Sequence, residues 1–147
     1  MAGISDYARN KILDQIFSNT APSFTLTTLY FALTTSSIAS TDTGTTGNTK
    51  EPAVATQYGA YARASSTNNA TNWPAASSGS KTNAAATISF PTSTGGASAP
   101  VTVNSFFVAD ASTAGNSIAF GALGTAKSVN NGDTPSIAAG AATFTLA

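Results

Sequence analysis

The chain has 147 residues, 41% of them hydrophobic but only 8% charged, with six basic and six acidic side chains and neither His nor Cys. That inventory excludes a disulfide framework, a thiolate zinc site and a Ser-His-Asp triad. A net charge of zero gives no basic field for phosphate backbones, and no apolar run approaches the ~20 residues of a membrane span.

The N-terminal residues 1–6 lack the basic start and apolar stretch of a secretion signal, so synthesis in a cytoplasm is expected. Residues 5–18 then carry the helical pattern. Ala8, Ile12, Leu13, Ile16 and Phe17 fall on one stripe, with Asn10, Lys11 and Asp14 opposite. Ser5 suits the N-cap and Asp6 the positive end of the helix dipole. Pro22 marks the stop, because the residue before proline avoids helix.

Everything after the helix reads as strands and turns. Residues 24–34 (FTLTTLYFALT) are β-branched and aromatic. Residues 35–52 form a long polar loop, and residues 57–65 (QYGAYARAS) alternate as a strand. A second long loop, 66–81, carries the only Trp, Trp73. Strands are predicted at 82–90, 101–109, 117–123 and 140–146, with turns at Gly95-Gly96, Gly115-Asn116 and Asn131-Gly132-Asp133. This predicts a single domain over 1–147: one N-terminal helix, then an antiparallel, jelly-roll-like β-sandwich over 24–147. Phe106 and Phe107 are adjacent in one strand and so point to opposite faces; a second layer must cover one of them.

The chemistry-bearing candidates are few. Residues 121–128 fit G-x-x-x-x-G-K-S except at Ala126, and a turn follows where a phosphate loop needs a helix. Of the six acids, Asp110 and Asp133 lie beside turns and read as backbone caps, while a glycosidase-like pair would need two distant acids to meet. A calcium site at Asp42 or Asp133 lacks EF-hand spacing. No catalytic, cofactor or metal residues are assigned. Loops this long imply function or a partner, which makes Trp73, Tyr58, Tyr61, Arg63 and Phe107 the candidate interface. Arg63 also has a structural reading: pairing with Glu51 or Asp110, or stacking on Tyr61.

Several segments, taken in order, resemble a family of small virion proteins of tailed bacteriophages, variously labelled tail fibre, minor tail or head decoration proteins. They are Ser5-Asp6-Tyr7-Ala8 with Asn10-Lys11-Ile12-Leu13-Asp14, the stretch 29–34, Tyr61-Ala62-Arg63 and 89–92. They continue with Asp110-Ala111, Gly115-Asn116, Gly121-Ala122-Leu123, 127–134 and Ala138-Ala139-Gly140. The resemblance implies a β-rich virion component without enzymatic activity. With so little charge, the surface reads as one made to be covered. The expected role is therefore that of a non-enzymatic capsid decoration (cement) protein that assembles as a homotrimer and bridges major capsid subunits. The alternatives are a tail fibre or tail-tip subunit binding tail proteins, and a carbohydrate-binding module stacking sugars on Trp73, Tyr58 and Tyr61.

Overall fold

The computed structural model describes residues 3–17, 25–84 and 87–145. A short strand β1 (Gly3–Ile4) leads into helix α1 (Asp6–Phe17). Ser5 caps that helix: its Oγ accepts from the Ala8 N–H at 3.2 Å, and its hydroxyl donates to the Ser117 carbonyl. The helix start is therefore tied to the sheet it lies beside. Of the predicted apolar stripe only Ala8 is buried, while Leu13, Ile16 and Phe17 stay exposed.

Strands β2 (Thr28–Thr34), β3 (Ala64–Thr67), β6 (Val101–Ala109) and β7 (Ser117–Val129) join β1 in one antiparallel sheet of order β1-β7-β6-β2-β3. Two antiparallel ribbons, β4 (Ser80–Thr82) with β9 (Thr143–Thr145) and β5 (Ile88–Ser89) with β8 (Ser136–Ile137), supply the opposing layer. The protein is mainly β and antiparallel, with one N-terminal helix and a sandwich-like packing of these layers. The chief core lies between them. Phe31, Leu33, Val101, Val103 and Val108 of the sheet meet Tyr58, Trp73, Ile88 and Phe90. Phe31 stacks on Trp73 at 5.9 Å between ring centroids, and Phe144 closes against both Trp73 and Phe106.

The back of the sheet has its own cover. Ala32, Phe107 and Ala109 face away from the main core and pack with Ile38. Alternation along β2 accounts for Ala32, while in β6 the irregularity around Asn104 lets Val101 and Val103 share the main core with Val108 and turns Phe107 and Ala109 to the back. Their lid is the 35–52 segment, predicted as an open loop but in fact organised around a short helix α2 (Gly44–Asn48). Thr43 and Thr46 form its capping box, and Gly47 sits so close to the Phe107 ring that an added Cβ would lie 2.9 Å from it.

Other boundaries move for local reasons. The predicted 57–65 strand shortens to β3, because the chain turns at Gly59 and Ala60, the latter with φ of 63°. Within 66–81, both ends belong to strands β3 and β4. The 82–90 prediction resolves into β4 and β5, with 85–86 outside the described residues. The Asn131-Gly132 turn does not join a hairpin, since β8 pairs with β5 and not with β7. Conversely, β7 runs on to Val129. Its register against β6 breaks twice. Ile118 is an extra residue between the Val108–Ala119 and Ala109–Ser117 pairs, and, more widely, Val103 faces Lys127 while Ser105 faces Ala122, so residues 123–126 all stand opposite Asn104. Phe24, predicted at the start of a strand, lies outside the described residues.

Candidate functional site

The most connected side chain in the fold is Arg63, just before β3. All five of its N–H groups are used. Nε and Nη2 donate to Glu51 Oε1 at 3.0 and 2.8 Å, Nη1 to the Ala111 and Ala114 carbonyls at 2.9 Å each, and Nη2 also to the Gly44 carbonyl at 2.9 Å. Its guanidinium lies over the Phe107 ring, 4.9 Å from the centroid. Glu51 spends its other oxygen on the Tyr61 hydroxyl at 2.7 Å, and that hydroxyl accepts from the Leu33 N–H at 3.0 Å. Burial first, then the negative charge of Glu51, push the Tyr61 phenol far above its ordinary range. The Glu51 partner is one of those the sequence offered for Arg63; the clasp on three backbone carbonyls has no sequence signal.

This network welds three segments together at one end of the sheet: the α2 lid, the approach to β3 and the β6–β7 hairpin. Gly44 is needed there, because a Cβ would overlap the Ala114 carbonyl. The hairpin is braced in addition by Asp110, whose two oxygens accept from the Asn116 backbone and side-chain nitrogens at 2.7 Å each. With every donor satisfied, Arg63 has none left to offer a ligand.

The expected exposure of the candidate interface is corrected by the same packing. Trp73 is only 3% exposed, flat against Phe31, with its indole N–H on Ser66 Oγ at 3.0 Å. Tyr58 and Phe107 are fully buried, Arg63 is buried, and Tyr61 is half-buried between Tyr58 and Phe90. Rings imagined as a sugar-stacking platform are instead pressed on one another. Large aromatic surfaces are the main apolar content of a chain this rich in small residues, and the core takes them.

The acids are dispersed. Asp6 pairs with Arg9, Asp42 with Lys50 at 2.6 Å, Glu51 with Arg63, and Asp110 and Asp133 cap their own turns. The Asn130 backbone N–H and side chain hold the Asp133 carboxyl below its usual range. No metal-holding group of three acids occurs among the described residues. The near-match to a phosphate loop lies wholly in strand β7, with no helix following. No helix among the described residues is long and apolar enough to cross a membrane.

Two outer features went unread in the sequence. One is the apolar end of α1, where Leu13, Ile16 and Phe17 are 53%, 63% and 82% exposed. The other is a groove of about 690 Å³, floored by Leu33, Phe90 and Val103, between residues 123–129 of β7 and the 133–137 segment. The helical period gave the first stripe but not the fact that the fold leaves it uncovered. The groove arises from the β7 irregularity, which local sequence does not encode.

A small antiparallel β protein whose polar networks close on themselves, and whose remaining apolar features face outward, has the character of a structural component. Residues 3–145 match the family described as Podophage GP4 fiber I protein gp80, and the chain belongs to that family of phage fibre structural proteins. It is accordingly a component of a bacteriophage virion. No individual curated protein matches the chain.

Proposed function

We propose that this chain is a structural subunit of a tail fibre, joining other virion proteins by surface contact and carrying out no reaction. The observation that supports this most is the fibre-family match over residues 3–145. The interior agrees with it: five of the six acids serve as caps or ion-pair partners, and the large aromatic rings build the core. The head-decoration reading, with the major capsid protein as partner, has no comparable support.

Labelling and copy number in purified virions separate the two. An antibody to this chain should decorate the tail, at the few-to-tens of copies a fibre set needs. Hundreds of copies spread over the head would overturn the proposal in favour of capsid decoration.

A further inference from the structure

Exposed large hydrophobic side chains on this protein are few and concentrated. Among the described residues they are Leu13, Ile16 and Phe17 on α1, with Val54 elsewhere. Three of them occupy the last turns of one helix and make a single apolar knob. Beside the knob stand Lys11 and the exposed Asp14, and no ion pair holds Asp14 among the described residues.

The β7 groove has the complementary character. Its floor of Leu33, Phe90 and Val103 is apolar, Leu123 and Ile137 extend that surface up the walls, and its charged rim residues are Lys127 and Asp133. Lys127 makes no ion pair among the described residues. Knob and groove therefore carry the same pair of signs, one cation and one anion each. A knob set in a groove can place Asp14 by Lys127 and Lys11 by Asp133, whereas a reversed placement would oppose like charges. The chain's net charge of zero leaves no general repulsion between copies.

The geometry points to a second copy of this chain as the occupant of the groove, which receives the Leu13, Ile16 and Phe17 end of the neighbour's α1. Knob and groove are different surfaces, so the contact is head-to-tail: it closes into a ring or propagates as a filament. Closure after three copies would give the homotrimer expected from the sequence. The contact is independent of whether the subunit sits on tail or head.

Sedimentation velocity of the full chain over a concentration series tests this. The wild type should associate as concentration rises. Leu13→Gln removes part of the knob at an exposed position. Gly124→Arg obstructs the groove, and a Cβ added at Gly124 meets no atom within 4 Å, so the backbone there has room for a side chain. Each variant alone should sediment as a monomer where the wild type associates, with an unchanged circular dichroism spectrum. Mixed one to one, they should form a dimer and nothing larger, because each pair keeps one intact contact.

A charge exchange adds an independent reading. Asp14→Lys or Lys127→Glu alone should weaken association by roughly twofold to fivefold, and the two together in one chain should restore it. A wild type that stays monomeric at every concentration, or a mixture of L13Q and G124R that does not pair, would overturn the assignment.

Discussion

Arg63 carries a positive charge into a place where water cannot reach it, and the surroundings answer each of its donors. Removing the guanidinium would leave Glu51 buried with only the Tyr61 hydroxyl, and would take its donors away from the Gly44, Ala111 and Ala114 carbonyls. Breaking one side of a buried pair costs about 3–5 kcal/mol, more than the pair itself contributes over a well-packed apolar replacement. Arg63→Met should therefore destabilise by that amount in urea unfolding. Arg63→Lys should recover little, since an ammonium has three donors and no planar fork. Adding Glu51→Leu to Arg63→Met should return part of the loss. A single R63M that costs less than about 1 kcal/mol would mean the network is not the clasp its geometry describes.

At the scale of elements, the 35–52 segment acts as a lid on the back of the sheet, held by small contacts. Its apolar contribution to that cluster is Ile38, and Gly47 packs against the Phe107 ring with no room for a Cβ between them. Glycine is used at this position for its lack of a side chain, because the ring fills the space a Cβ would take. Gly47→Ala must push either ring or lid, and overpacking of this kind costs about 1–3 kcal/mol. Urea unfolding should register that loss, and proteolysis should cut first within 35–52 if the lid lifts. Gly124→Ala, with open space around it, is the control and should change nothing.

The same element shows what local sequence reveals. Strand β6 was legible to the residue, since Val101 to Ala109 is rich in β-branched and aromatic residues and two adjacent phenylalanines demanded a covering layer. The lid that covers Phe107 was not, because threonine caps and close glycine packing leave no hydrophobic period to read. Trp73 failed for a related reason: a lone Trp in a polar stretch looks like a surface anchor, and only the placement of Phe31 and Phe144 makes it core. Arg63 was legible as a residue with Glu51 as a possible partner, but the hairpin carbonyls it binds come from 48 and 51 positions further on.

For the molecule as a whole, base should be the destabilising direction of pH. With no His and no Cys, titration above neutrality falls to lysines, tyrosines and the chain terminus. Of the four tyrosines, Tyr58 is buried in the core and Tyr61 packs against it. Tyr58, its hydroxyl donating to the Pro91 carbonyl, is pushed up to about 12, by burial first and then by the negative charge of Asp133. Tyr61 is raised as well, by burial and by Glu51. The folded state therefore holds both phenols neutral, while in the unfolded chain they ionise near their ordinary value of about 10. Raised values of this kind stabilise fully below pH 10, and that contribution is lost as pH climbs from about 10 toward 12. Thermal unfolding followed across that window should show a melting temperature that is level below pH 10 and falls above it. Tyrosinate absorbance from the buried pair should appear together with the loss of structure and not before it. Tyr58→Phe should flatten the fall, having no proton to release on unfolding. Full tyrosine ionisation near pH 10 with the fold intact would show instead that the core around Tyr58 and Tyr61 opens to water without unfolding.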